Sequence, residues 1–270
     1  MQRPPPPAPP DDPRNERYWR EYLEHPDTLM HYGRRFLSLI PSDPRCQMCA
    51  SPFQGFGGGM MRAIGKRPSD GNPTLCNTCQ NFMIKYHGGA EVSGTMLFAD
   101  VRGSTALAEH MSPAEFNALL DRFYSVASKT VFANSGIVDK FVGDELVAAF
   151  TPNLGENHVR RAVDTAADLL RATGHADPAG PWLPVGAGVH TGQVWFGAVG
   201  AGAATTLTVL GDPVNVTARL ASAATAGEVL VSTDAAMAAG LDPSLPHRSL
   251  DLKGKEEPFE VVSLQVAPEG

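Results

Sequence analysis

With 270 residues, 43% of them apolar and 19% charged, the chain has room for one catalytic domain plus a small accessory module. Residues 1–90 carry 11 basic and 8 acidic side chains, leaving 11 basic and 21 acidic for residues 91–270, and this acidic excess argues against nucleic acid as a partner of the second part. No apolar run approaches the roughly 20 residues that span a bilayer, and the first residues lack a signal-peptide core, so a cytoplasmic chain without a membrane partner is expected.

The proline tract within residues 4–10 reads as part of a disordered or polyproline-type tail covering 1–15, with docking to a proline-reading domain as the alternative. Over residues 16–40, Tyr18, Trp19, Tyr22, Leu23 and then Leu29, Met30, Phe36, Leu37 and Ile40 recur at helical spacing, broken by His25-Pro26-Asp27. The pattern predicts two short amphipathic helices that either pad the module behind them or pack at a dimer axis.

Cys46-Gln-Met-Cys49 and Cys76-Asn-Thr-Cys79 follow. In a reducing cytosol two such pairs read as metal ligands rather than disulfides. Four thiolates close a tetrahedral shell that suits structural Zn²⁺, with an iron site or a thiol redox switch as alternatives. With four cysteines present, His31 and His87 read as surface residues. The Gly-rich stretch Gly55-Phe-Gly-Gly-Gly59 reads as a connector, not a phosphate loop, because it follows no strand and no Lys-Ser/Thr succeeds it. Residues 16–89 are thus expected to form a helical, zinc-ribbon-like module, with Gly88-Gly89 marking the boundary of a catalytic domain over 90–267.

That domain opens with Thr95-Met-Leu-Phe-Ala-Asp100-Val101, a buried strand that delivers a lone carboxylate at its C-terminal end. Ser112-Pro-Ala-Glu115 starts a helix with capping-box spacing, Phe116, Leu119, Leu120, Phe123, Ala127 and Val131 carry its apolar face, and Asn134 and Gly136 stop it. Residues 137–142 and 146–150 are β-rich runs around Gly143-Asp144, a hairpin turn with Asp144 at its tip. In a split strand-helix-strand unit the second hairpin strand inserts antiparallel beside the first strand. Asp100 and Asp144 then become neighbours, and two close carboxylates suit Mg²⁺ or Mn²⁺ with phosphate oxygens completing the shell.

The segments Leu97-Phe-Ala-Asp100-Val-Arg-Gly-Ser-Thr105 and Lys140-Phe-Val-Gly143-Asp144 resemble the metal-binding signature of class III nucleotide cyclases. The hairpin is also loosely similar to the Gly-Gly-Asp-Glu-Phe turn of diguanylate cyclases, but Val142 stands where that family has its first Gly. Downstream, residues 157–172 read as a helix ending at Gly174, and residues 185–200 as two strands around a glycine turn. This completes an α+β, ferredoxin-like β-α-β-β-α-β core with extra strands. His190 lies in a Gly-x-His-x-Gly strand like the family's, and on an apolar strand it reads as a satisfied core residue. A strand ends at Gly211, and Asp212-Pro213 starts a helix that puts Asn215 and Arg219 on one face. This block resembles the family pattern Val-Asn-x-x-x-Arg, and Lys253-Gly-Lys255 resembles its terminal Lys-Gly segment before a last strand over 259–265.

The resemblance, which covers about residues 91–265, implies cyclisation of a nucleoside triphosphate with release of pyrophosphate. It assigns two Mg²⁺ or Mn²⁺ ions to Asp100, Asp144 and the Val101 carbonyl, the ribose to Asn215, and the triphosphate to Arg219 and Lys253. It places the purine against Lys140 and Thr208. An ammonium only donates, which suits the unprotonated N1 of adenine, so ATP is the expected substrate. Thr208 departs from the Asp of many adenylyl cyclases and occurs in one subtype. Its hydroxyl both donates and accepts, which keeps a guanylate or dual-specificity cyclase as the alternative, ahead of a non-catalytic nucleotide-binding sensor or adaptor. Family members bind substrate between two catalytic domains, so a homodimer with sites at the interface is implied.

Overall fold

A computed structural model describes residues 12–25, 32–34, 36–37, 39–40, 44–252 and 257–267. The proline tract, His31, Lys253, Lys255 and much of the second helix expected before residue 40 lie outside the described residues. The described helices are α1 (Pro13–Glu24), α2 (Gly55–Ala63), α3 (Asn77–Lys85), α4 (Ser104–His110), α5 (Pro113–Ala133), α6 (His158–Ala172), α7 (Asp212–Ala223) and α8 (Thr233–Ala239). The strands are β1 (Gly88–Val101), β2 (Ile137–Val142), β3 (Glu145–Phe150), β4 (Val185–Val199), β5 (Thr206–Leu210), β6 (Glu228–Ser232), β7 (His247–Leu250) and β8 (Phe259–Gln265). Among the described residues, no helix is long and apolar enough to cross a membrane. The chain divides into two compact units, one of residues 1–93, 151–156 and 193–211, the other of residues 94–150, 157–192 and 212–270.

The second unit carries the ferredoxin-like core. Strands follow the order β2-β3-β1-β4-β6-β8-β7, in which β2-β3-β1-β4 is the order of a β-α-β-β-α-β unit and the remainder extends the sheet. β3 runs antiparallel to β1 in a register from Thr95↔Phe150 to Asp100↔Glu145. The turn between β2 and β3 is Gly143-Asp144, with Gly143 at φ 60°, a backbone state that a side chain makes costly. α5 begins as its sequence predicts: the Ser112 Oγ accepts from the Glu115 N–H, and the Glu115 carboxylate accepts from the Ser112 N–H at 2.8 Å, a box worth about 1 kcal/mol. Its buried face is Phe123, Ala127, Val131 and Phe132.

Residues 185–199 are one strand, not two around a turn. Glycines suggest a turn when read from sequence, but Gly186, Gly188 and Gly192 all lie outside the positive-φ region. Gly188 serves close packing instead: a Cβ there would stand 2.4 Å from the Ala221 N and 2.7 Å from the Thr217 O of α7. The backbone of α7 therefore rests directly on β4. Its other contacts are apolar, with Val216, Leu220 and Ala224 clustered against Leu230, Leu252 and Val261.

In the first unit α1 buries Trp19 and Leu23 completely. The Trp19 indole meets Phe82 edge-on at 5.4 Å and donates to the Tyr86 carbonyl at 2.6 Å. The Asn15 amide donates to the His87 carbonyl at 2.9 Å. These contacts tie α1 to α3, the helix that follows Cys76, which is the padding role open to it from sequence. The stretch 55–59, expected as a connector, instead forms most of α2. Gly58 again marks a close approach, since a Cβ there would lie 2.4 Å from the Phe53 carbonyl. β5 pairs with the second half of β4, from Trp195↔Leu210 to Val199↔Thr206.

Candidate active site and four-cysteine cluster

Asp100 stands at the end of β1 because Met96, Leu97, Phe98 and Ala99 are buried and the chain emerges from the sheet only after them. The hairpin brings Asp144 and Glu145 to the same rim through the register above. Burial pushes the Asp100 carboxyl above the usual carboxylate range; Arg102 opposes this and Asp144 adds to it. Glu145 is pushed up to about 7, by burial first and then by the charges of Asp100 and Asp144. Carboxylates that are part-buried beside one another fit a hard divalent cation, whose charge offsets both the burial and the repulsion. Val101, whose carbonyl is a candidate third ligand, is buried directly after Asp100.

Three neighbours of this corner were not picked out from sequence. Glu145 is one, although its place beside Asp144 and opposite Asp100 follows once the register is fixed. Arg102 is the second. Its Nη2 donates to Asp100 Oδ2, its Nε to the Asp100 carbonyl at 3.2 Å, and its Nη1 to the Ser222 carbonyl at 3.1 Å. The third is Tyr124 on α5, whose hydroxyl donates to the Gly143 carbonyl and whose ring lies 4.2 Å from that of Phe141. It braces the turn that carries Asp144.

Lys140 lies on β2 immediately after a register shift between Val138 and Lys140, and bulges of this kind re-aim side chains beside active sites. The Lys140 Nζ stands 3.2 Å from the carboxylate of buried Asp139. On α7 the apolar face holds the helix down, so Asn215 is exposed and Arg219 half-buried on another face. Thr208, in the other unit, is a buried β5 residue opposite Gly197. His190 is buried, with Nδ1 2.8 Å from the Ser232 Oγ and its ring edge-on to Phe259, as expected of a satisfied core residue.

Sγ atoms of Cys46, Cys49, Cys76 and Cys79 all lie within 4.8 Å of one another, the only such convergence of three or more ligating side chains among the described residues. Cys49 Sγ and Cys76 Sγ are 3.7 Å apart, close to the edge of about 3.8 Å that a tetrahedron with 2.3 Å zinc–sulfur bonds requires. Backbone N–H groups already face the sulfurs, Cys76 N donating to Cys46 Sγ at 3.2 Å and Cys79 N to Cys76 Sγ at 3.5 Å. Hydrogen bonds within the cluster drive the Cys49 and Cys76 thiols down, Cys76 to about 7, while burial pushes Cys46 up and proton sharing pushes Cys79 up. Thiols that perturb one another this strongly fit a site whose charge a cation balances, since four thiolates packed together repel without one.

A family profile described as the adenylate and guanylate cyclase catalytic domain matches residues 90–258. The chain belongs to this family. The cyclase domain is also similar to the solved guanylyl cyclase Cya2, with 27% identity and a TM-score of 0.60 over 65% of this chain and 93% of that one. It is similar to the adenylyl cyclase CyaB from P. aeruginosa, with 26% identity and a TM-score of 0.57 over 67% and 97%. Among curated proteins it is 33% identical to an uncharacterized protein of Mycobacterium tuberculosis, over 68% of this chain and 33% of that protein. It is 32% identical to an adenylate cyclase of Anabaena cylindrica, over 47% and 26%. The chain spans about a third of the length of the first of the curated relatives it matches. Cyclase domains of this family generally use divalent metals and bind nucleotides.

Proposed function

We propose that this cyclase domain is an adenylate cyclase that converts ATP to 3′,5′-cyclic AMP and pyrophosphate in intracellular signalling. The observation that carries the reading is the pairing of Asp100 with Asp144 at one sheet rim, joined by Lys140 on the strand that leads into the same turn. Divalent ions held by Asp100, Asp144 and the Val101 carbonyl would lower the pKa of the 3′-hydroxyl and neutralise the phosphates. The remaining work is the chain's own. Arg219 stabilises negative charge at the α-phosphate, Asn215 orients the ribose, and Lys253 meets the phosphates. Lys140 donates to adenine N1 and Thr208 accepts from the adenine amine.

In this reading the active enzyme is a cytoplasmic homodimer, with one protomer supplying the acids and the other Asn215 and Arg219 at each of two equivalent sites. Residues 16–89 form an accessory module that holds structural zinc on Cys46, Cys49, Cys76 and Cys79, and residues 90–267 form the catalytic domain. A guanylate cyclase is the second reading, favoured by the ambivalent hydroxyl of Thr208 and disfavoured by the ammonium of Lys140.

The test is cyclic nucleotide formation by the purified full-length chain, given ATP or GTP with Mg²⁺ or Mn²⁺, beside Asp100→Ala. Cyclic AMP that disappears in the variant supports the reading. A preference for GTP would overturn the choice of base, and no cyclic product with any metal would overturn the catalytic assignment.

A further inference from the structure

Arg102 is the cation closest to the metal-binding carboxylate, and neither charge is well solvated: the Asp100 side chain is 27% exposed and that of Arg102 22%. Screening between partly buried charges is weak. A guanidinium in contact with Asp100 Oδ2 therefore opposes the arrival of a second, doubly charged cation at the same carboxylate. The main chain at this point is held by the Arg102 N–H, which donates to the Pro184 carbonyl at 2.8 Å, so the side chain is the part with most freedom to move. That side chain has a second anchor. Its Nη1 donates to the Ser222 carbonyl at the end of α7 at 3.1 Å, where a helix terminus leaves acceptors unsatisfied and favours positive charge. The guanidinium can therefore give up the carboxylate without losing every partner.

We propose that Arg102 is a resident counter-cation of the metal site: its guanidinium competes with the divalent metal for Asp100 and must release that carboxylate for the metal to bind. Arg102 then sets the metal concentration at which the enzyme becomes competent and contributes nothing to the chemical step. The inference rests on the metal-binding role proposed above for Asp100.

The experiment measures Mn²⁺ binding to the full chain, without nucleotide, from the electron paramagnetic resonance signal of free Mn²⁺. Wild type is compared with Arg102→Gln, Arg102→Lys and Asp100→Asn, each checked for folding by circular dichroism and thermal melting. Asp100→Asn defines binding at sites other than Asp100. Arg102→Gln is expected to bind Mn²⁺ tighter by on the order of tenfold, while Arg102→Lys, which keeps the charge, stays near wild type. Arg102→Gln binding no tighter than wild type, or Arg102→Lys matching Arg102→Gln, would overturn the competition and leave the metal role of Asp100 standing. If neither wild type nor Arg102→Gln binds Mn²⁺ beyond the level of Asp100→Asn, the metal assignment itself fails, and this inference with it.

Discussion

Asp100 and Glu145 face each other across the β1–β3 ladder, and with Asp144 one residue earlier three carboxylates share a single corner of the sheet. Such a corner is held for a reason other than stability. Asp144→Asn is expected to leave the folding free energy unchanged or to raise it by up to about 1 kcal/mol through relief of repulsion. In the same variant cyclisation should fall on the order of a thousandfold, because several kcal/mol of transition-state stabilisation is lost. Chemical denaturation beside a turnover assay separates the two effects. A loss of stability equal to the loss of rate would contradict the assignment.

Lys140 offers a way to change the base without touching the acids. Guanine presents N1–H where adenine presents a lone pair, so Lys140→Glu exchanges the favoured partner. The ratio of GTP to ATP turnover is expected to rise on the order of tenfold or more. Steady-state rates with each nucleotide check this, and an unchanged ratio would remove Lys140 from the base-reading set.

The contact between β4 and α7 predicts a sharp contrast between two glycines. A Cβ on Gly188 would stand 2.4 Å from the Ala221 N, whereas nothing lies within 4 Å of a Cβ on Gly59. Gly188→Ala should cost about 3 kcal/mol by overpacking. Gly59→Ala, inside α2, should gain about 0.5–1 kcal/mol from helix propensity. Equilibrium unfolding in urea measures both.

Metal removal addresses the four-cysteine cluster. One zinc per chain is expected by atomic emission, and stripping it with a strong chelator should lower the midpoint of the melt by several degrees, since binding to the folded form alone is folding free energy. Cys46→Ser with Cys76→Ser should melt like the stripped protein and no longer respond to chelator. A melt of the wild-type chain that ignores the chelator would exclude a structural role for the metal.

His158 sets an acid limit. Burial, with Arg161 adding to it, lowers its pKa from 6.5 to about 4, and its Nδ1 lies 2.9 Å from the Thr95 Oγ1. A depressed folded pKa means that between these two values the unfolded chain binds more protons than the folded one. The contribution is complete above pH 6.5 and is lost as the pH falls through 6.5 toward 4. With partial solvent exposure this amounts to about 1–2 kcal/mol. Melting curves across that window should flatten in His158→Gln.

The order of the core elements, the hairpin and the start of α5 were legible in the sequence because each rests on local chemistry: a capping box, a Gly-Asp turn, and an apolar run ending in an acid. Glycine was read less well. Its sequence signal is the same whether it permits a turn, as at Gly143, or lets two backbones touch, as at Gly188 and Gly58, and only the partner that fills the missing side-chain space tells them apart. The same limit hid Arg102 and Tyr124. Tyr124 lies 19 residues from the Gly143 carbonyl it holds, and Arg102 lies 120 from its anchor at Ser222, so neither role follows from spacing along the chain.

The hydrogen bond from Arg102 to the Ser222 carbonyl carries one more consequence. That carbonyl lies in the last turn of α7, which bears Asn215 and Arg219, and in the proposed homodimer these serve the opposite active site from the one that Asp100 serves. A single guanidinium thus touches the carboxylate of one site and the last turn of the helix that serves the other. Its shift away from Asp100 as one site fills alters the end of the helix on which the other depends, and the two sites of such an enzyme would not turn over independently.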